Sequence, residues 1–401
     1  MSMHPAKTYD AADYAAPADL ARVQRGALVA AGVGFAGLAV GFFVSPAYFY
    51  RSYLVGWVLC MSVTLGALAL CMLNHMTHGA WGLTARRMFE AAMRTLPWLF
   101  LLFLPIALGG MKELYPWTHP ELVHGDKVLE AKTGYLNTQA FFIRFVLYFA
   151  LWGFLSWRLD RLSRQQDERS TPQLSRRLQA TSGPGIVAFC LSITFAAVDW
   201  VMSLQPHWYS TIYGFYLIAC SGLAAIAFVI LFARFLSQRA PMAEVLQPPV
   251  FHDWGNLLFT FNMLWAYFCF SQFLITWSGN LPEEISWFMQ RMHHGWGWVG
   301  VLLVAGHFAL PFALLLSRAR KRHAARLARV AAILFVMRIV DYVWQVEPAF
   351  KEQNPAYYWL YAAAPLGLFG LWLALFLREY RKRPLLPVND PYLPESIAYE
   401  H

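Results

Sequence analysis

Apolar residues run along this chain in long unbroken stretches, without the alternation of half-buried strands or the narrow stripe of amphipathic surface helices. Ten stretches reach or approach the roughly 20 residues that a helix needs to cross a bilayer. They are 26–44, 54–74, 95–111, 139–157, 184–204, 211–236, 255–277, 296–316, 325–346 and 356–378. The third is short and holds Pro97 and Pro105. The ninth carries Arg338 and Asp341, so hydropathy alone passes over it. The pattern predicts an all-α integral membrane protein with ten transmembrane helices.

Composition and charge sharpen this. Of 401 residues, 58% are hydrophobic and 14% charged, against about 25% charged in ordinary soluble domains. Mean hydropathy is +0.41. A net charge of +9 favours nucleic acid only if the cations share a solvated face, and here they fall in alternate loops. With the N-terminus in the cytoplasm, 24 lysines and arginines lie on that side and 6 on the other. Cations are retained on the cytoplasmic side. The expectation is a multi-pass protein of the cell inner membrane with both termini cytoplasmic. The run RARKRHAAR at 318–326 then reads as a flank facing solvent or lipid phosphate, so membrane lipid is an expected partner and nucleic acid is not. The first 25 residues are polar and no cleavage site accompanies the first apolar run, which reads as a retained helix.

The loops divide likewise. The stretch 112–138, with YPWTHPELVHGDK, predicts an ordered cap whose His119 and His124 are surface residues. The Arg-, Gln- and Ser-rich stretch 158–183 predicts a flexible loop, and the Pro-rich tail from Arg381 a segment lying against a partner. Cys60, Cys71, Cys190, Cys220 and Cys269 all sit in apolar runs without CxxC or CxxCH spacing. No haem, iron–sulfur cluster or metal ligated by this chain is expected.

Two segments repeat. VDWVMSLQP (198–206) and VDYVWQVEP (340–348) share Val-Asp-aromatic-Val, with Pro seven positions after the Asp. Asp199 and Asp341 stand 142 residues and four predicted helices apart. An even number of spans preserves orientation, so the repeat is parallel, as in several membrane architectures. It divides the chain into a tail (1–25), a first helix and loop (26–53), a four-helix bundle (54–204), a second bundle (205–348), a tenth helix (349–380) and a tail (381–401). At 1.5 Å per residue, Asp199 lies ~22 Å into its span, in the outer third of a ~30 Å core. Arg338 and Asp341 fall at a similar depth.

Polar groups concentrate in 252–298. His252 and Asp253 stand at the inner mouth, Asn262, Ser271 and Gln272 inside, and Asn280, Glu283, Glu284 and Arg291 at the outer end. Such groups either hydrogen-bond neighbouring helices or line a wet pathway. Arg338 and Asp341, three apart on one helix, are spaced to pair with each other. Asp199 has no cation on its own helix. His307, near mid-membrane, reads equally as a satisfied bundle histidine and as a proton relay.

Five stretches carry a resemblance: DWVMSLQPHWYSTIYGFY (199–216), HDWGNLLFTFNMLWAYFCFSQFLITWSGNLPEE (252–284), Arg291 with Gly295-Trp296, HFALPFALLLSR (307–318) and RIVDYVW (338–344). They cover roughly half the chain. They resemble the NrfD-like, polysulfide-reductase-type family of quinol-handling membrane subunits, and within it the shorter, F-type subunit of bacterial alternative complex III. The resemblance implies ten helices in two four-helix bundles, quinol oxidation near the outer face and a proton route. It implies as partners a paralogous quinol-binding membrane subunit, an iron–sulfur subunit and haem c subunits. Quinol is then the one cofactor expected. Removing its protons needs acceptors of moderate pKa, for which Asp199, Glu283 and His207 are the catalytic candidates. Gln272, Arg338, Trp200 and Trp277 are candidates for holding the ring, and Asp341, His307, Asp253 and His252 for a proton path. The same residues leave open an anchor of another NrfD-like oxidoreductase, of the polysulfide or nitrite reductase type. They also leave open a secondary transporter and an inert anchor whose charges merely pair.

Overall fold

A computed structural model describes residues 12–169 and 171–398; the ends of both predicted tails, 1–11 and 399–401, lie outside the described residues. Every regular element among the described residues is a helix. Nine of these helices are long and apolar enough to cross a membrane. They are α1 (Asp19–Val44), α2 (Pro46–Thr77), α3 (Ala80–Leu114), α4 (Thr138–Glu168), α5 (Pro172–Leu204), α6 (Tyr213–Leu236), α7 (Pro248–Gly279), α8 (Trp296–Leu315) and α10 (Pro355–Tyr380). Between the last two runs α9 (Ala324–Val346), as long as a span but bearing Arg326, Arg329, Arg338 and Asp341. Successive helices reverse direction. One end of the molecule, the loop end, carries the 115–137 connection. The other, the tail end, carries the C-terminal tail.

The axis is α2. It is apolar around its whole circumference and buried along nearly all its length against α1, α3, α5, α6, α9 and α10. A helix apolar on every side belongs inside. Gly66 sets its distance from α6, since a Cβ there would overlap the Ser221 carbonyl. The α1–α10 crossing likewise brings Gly34 onto the Gly367 backbone, the small-residue contact that drives helix pairing in lipid. Prolines shape two other helices. Pro105 and Pro311 each lack the N–H that would continue the α ladder. Each adjoins a π-helical turn, Ile106–Gly110 in α3 and Leu303–Ala309 in α8.

The tail end differs from the sequence expectation. Here α3 begins at Ala80 instead of 95, with Arg86, Arg87 and Glu90 buried in its first turns. They stay in the helix because partners reach them. Arg87 bonds Glu90 at 2.7 Å and also Asp167, while Ser163 donates to Glu90 at 2.6 Å. Arg94 and Arg383 share Asp160 at 2.8 and 2.9 Å, and Arg86 holds Asp390 at 2.5 Å. Asp160, Ser163 and Asp167 come from the stretch expected to be a flexible loop, which is helical to Glu168 and again from Pro172. The C-terminal tail packs onto the chain's own α3, burying Leu385, Leu386 and Leu393 and setting the Tyr392 ring 4.7 Å from that of His78, tilted by 33°. The loop end matches the expected ordered cap. Short helices Pro116–Thr118, Pro120–Val123 and Lys127–Lys132 fill 115–137. Asp126 caps the last, accepting from the Val128 and Leu129 amides at 3.0 and 3.2 Å.

The Arg86–Asp390 pair generates a stability prediction. Arg86→Ala strands a buried carboxylate, so thermal unfolding in neutral detergent should show a loss of about 3–5 kcal/mol. Arg86→Leu with Asp390→Leu should recover most of it. A single-variant loss indistinguishable from zero would mean that the tail clasp is not electrostatic.

Candidate functional site

The two repeated segments end α5 and α9 at the loop end, and their aspartates have different surroundings. Asp199 is bound bidentately by Arg144 of α4, through Nε at 2.9 Å and Nη2 at 2.8 Å. Tyr148 donates to it at 2.8 Å, and the Tyr135 ring covers the guanidinium at 3.7 Å. Both carboxylate oxygens are therefore occupied. The end of α5 is satisfied by neutral groups: Ser203 Oγ donates to the Asp199 carbonyl at 2.7 Å and Tyr115 to that of Trp200 at 3.0 Å. Trp200 packs edge-on against Trp57 at 4.7 Å, inside the core. His207 is exposed, with Nε2 2.5 Å from Asp126 Oδ2. That contact holds the Asp126 carboxyl below its usual range and clasps the 115–137 connection to the α5–α6 turn. Lys132 adds a second clasp there, reaching the Pro206 carbonyl at 2.5 Å.

Asp341 is fully buried and pairs with Arg338 one turn earlier on α9. Its Oδ2 also accepts from Tyr216 of α6 and from Trp265 Nε1 of α7, the latter at 3.2 Å. Its Oδ1 has no protein partner. Arg338 extends to Cys220 Sγ at 2.9 Å. Gln345, one turn beyond Asp341, donates to the Tyr216 hydroxyl at 3.1 Å and accepts from Tyr213 at 3.1 Å. A continuous hydrogen-bonded chain thus runs Tyr213–Gln345–Tyr216–Asp341.

That chain opens onto a small cleft of about 50 Å³, partly open to the exterior. Tyr213, Tyr216, Trp344 and Gln345 line it from α6 and α9, and Phe268, Cys269 and Gln272 from α7. Trp208 of the α5–α6 turn and Trp287 and Phe288 of the short helix Pro282–Met292 complete it. Trp208 and Trp287 stack at 4.8 Å with 20° between their planes. Gln272 accepts from Ser210 and donates to Thr276 at 3.3 Å. Flat apolar walls with a few amide and hydroxyl groups are the usual lining of small-molecule sites.

Arg291 frames the cleft from behind. It is fully buried, and among the described residues it forms no ion pair with a carboxylate. It donates to the carbonyls of Trp344 (3.1 Å), Gln345 (2.8 Å) and Trp287 (3.0 Å), and to Gln205 Oε1 (3.0 Å). Its guanidinium lies 3.5 Å over the Trp287 ring. Burial pushes it down to about 9, so it remains a cation at neutral pH. Its counter-charge is the negative end of α9, whose last carbonyls have no intrahelical donors.

Deeper in the bundle, the π turn of α8 presents His307 to Trp265, ring on ring at 3.9 Å. Both His307 nitrogens and Asn262 Oδ1 are buried without protein partners. Trp265 thus touches both His307 and Asp341. His252 and Asp253 lie half-buried at the tail end of α7.

The expected site residues therefore divide. Gln272, Arg338 and Asp341 come together at or directly beneath the cleft, with His307 one ring away. Asp199 and Trp200 form a separate, closed group on α4 and α5. Glu283 is exposed in the first turn of Pro282–Met292, and Trp277 is 69% exposed on α7; neither lines the cleft. Sequence reasoning passed over Tyr216, Gln345, Trp208 and Trp287. Gln345 had a signal, since it follows the repeated Asp by one turn. Among the described residues, no group of three or more His, Cys, Asp or Glu is placed to hold a metal ion. No protein family matches the chain, and no curated protein does.

The two aspartate sites should respond differently to loss of their cation. Arg338→Gln leaves a fully buried carboxylate, at a cost of about 3–5 kcal/mol. Arg144→Gln acts where the cation is partly exposed and Tyr148 still donates, so it should cost roughly 1–3 kcal/mol. Equal losses in thermal unfolding would show that the two sites are electrostatically equivalent.

Proposed function

We propose that this chain is a membrane subunit of a respiratory quinol:electron-acceptor oxidoreductase of the alternative complex III type. In this reading α9 is the tenth span, and α2–α5 and α6–α9 are two parallel four-helix bundles. The loop end faces outward and both termini are cytoplasmic. The supporting observation for the site is that the cleft's innermost hydroxyl, Tyr216, bonds a buried carboxylate that retains one oxygen without a partner.

The lining suits a quinol headgroup. Trp208, Trp287 and Phe268 offer flat apolar faces. The amides of Gln272 and Gln345 both donate and accept, matching either a hydroxyl or a carbonyl of the ring. A bound quinol supplies two electrons and two protons when oxidised. Within this chain the work is proton acceptance and positioning. Tyr216 holds a proton at its hydroxyl against Asp341, and Asp341 Oδ1 is free to take one. Arg338 holds that carboxylate in place. From there Trp265, His307 and Asn262 lead towards His252 and Asp253 at the tail end. The unpartnered atoms of His307 and Asn262 are suited to ordered internal water, which normally bridges such groups. Electrons leave through iron–sulfur and haem c subunits, beside a paralogous quinol-binding membrane subunit.

A second reading keeps only the proton path. It is favoured by the same unpartnered atoms of His307 and Asn262, which lie outside the cleft.

A photoreactive quinone added to the intact complex separates the two. Label on α6, α7 or α9 lining segments, reduced about tenfold by Gln272→Leu, is the expected result; tenfold corresponds to one lost hydrogen bond. Asp341→Asn should keep the label yet lower turnover by roughly 10²–10⁴, the usual worth of a general base. Label confined to another subunit would leave this chain the proton path alone. Unchanged turnover in Asp341→Asn would remove that reading as well.

A further inference from the structure

The tail end holds a second concentration of charge, built unlike the first. Residues 318–329 contain five arginines, Lys321 and His323, and no carboxylate. In the α3–α4 network every buried arginine has an acid. Here Arg318, Arg326 and Arg329 are exposed, and among the described residues they form no ion pair. The short helix Arg318–Lys321 packs on both α7 and α9, which fixes the charges in place. The Lys321 stem lies along Gly255, where a Cβ would sit 2.8 Å from its Cγ, and its Nζ meets Asn256 Oδ1 at 2.7 Å. Arg320 Nε is buried without a partner. His252 lies in the field of Lys321, Arg318 and Arg322, opposed by Asp253. Three cations against one acid leave a local positive excess at the mouth of α7.

We propose that this collar binds the phosphate of an anionic membrane lipid, seated beside His252. Two features select a lipid over a free anion. The charge begins where the apolar run of α8 ends, and exposed Leu310 and Leu316 stand directly before it. One ligand carrying both a phosphate and acyl chains satisfies both surfaces. Basic residues at such a boundary attract anionic headgroups additively. The bound phosphate also offsets the cations around His252, at the mouth where the proposed proton path opens. That effect on proton entry rests on the proton-path reading, whereas the binding does not.

The test uses the full-length chain in nanodiscs of phosphatidylcholine with a minor fraction of phosphatidylglycerol, with retained lipid counted by native mass spectrometry. The expected result is selective retention of phosphatidylglycerol. A triple variant, Arg318→Gln, Arg326→Gln and Arg329→Gln, should weaken retention roughly a hundredfold at low salt, the product of three single-charge effects. The corresponding triple Arg→Lys variant should stay within about threefold, because the attraction is to charge. Equal unfolding temperatures of the three proteins in neutral detergent establish that all are folded. Equal retention of phosphatidylcholine, or undiminished retention by the Gln variant, overturns the proposal. So does displacement of the lipid by inorganic phosphate at matched concentration, which would assign the site to a free anion. Retention that follows the charges, while turnover of the intact complex in the same nanodiscs ignores lipid composition, upholds the site and counts against His252 as a proton entrance.

Discussion

A charge inside a membrane-length bundle has to be cancelled within reach of its own side chain, because lipid does not solvate it and buried ions carry a desolvation cost of several kcal/mol each. This constraint sets how the helices meet. Arg338 and Asp341, with Tyr216 and Trp265, tie α9 to α6 and α7. Arg144 and Asp199 tie α4 to α5. At the loop end Arg51 joins α2 to Glu347, just beyond α9, at 3.3 Å, and Tyr361 of α10 bonds the same carboxylate. The tail-end network does the same for α3, α4 and the C-terminal tail. Apolar packing has little directional preference when the surroundings are as apolar as the core. The charge pairs supply the direction. They fix which turn of one helix lies beside which turn of the next, with α2 as the neutral axis.

The repeated Val-Asp-aromatic-Val segment shows how one local sequence yields two outcomes. In α5 the cation arrives from the neighbouring helix and chelates both oxygens, while the following Trp200 is packed among other rings. Nothing is left to react. In α9 the cation comes from one turn back on the same helix and a second helix supplies a tyrosine, leaving one oxygen unpartnered. The carbonyls that follow Asp199 are bound by hydroxyls, and those that follow Asp341 by Arg291. A segment that is closed structure in one half is open to chemistry in the other, and the difference comes from its neighbours.

This is why the sequence was informative about elements and less so about the site. Membrane-length helices are written in local hydrophobicity: eight of the ten expected runs fall within helices, the other two overrun theirs by one or two residues, and α9 is the one that hydropathy passes over. The spacing of Arg338 and Asp341 by one turn was also legible, and the two do pair. The pairing of Asp199 is not legible in the local sequence, because its partner, Arg144, is 55 residues away. Arg86, Arg87 and Arg94 were assigned to a loop because charge usually marks a helix end. Only the approach of α4 and the tail, which no local pattern encodes, lets them enter a helix. Trp277 and Glu283 share a stretch with Gln272, yet helix periodicity and the turn at Asn280 carry them out of the cleft.

Arg291 ties the walls of the cleft together. Those walls come from α6, α7, the short helix Pro282–Met292 and, beyond α8, α9. One guanidinium binds the backbone of two of them, at Trp344, Gln345 and Trp287, and lies flat against the Trp287 ring. Only a planar group with donors along several edges meets all of these at once, and an ammonium does not. A buried cation opposed by helix-end carbonyls, with no acid paired to it, is stabilised only while those carbonyls converge on it. If α9 or the short helix moved away, the charge would lose its counterweight in a poorly solvating site. The cost of burying Arg291 therefore acts as the restoring force on the cleft, holding Trp287, Trp344 and Gln345 in place before anything binds.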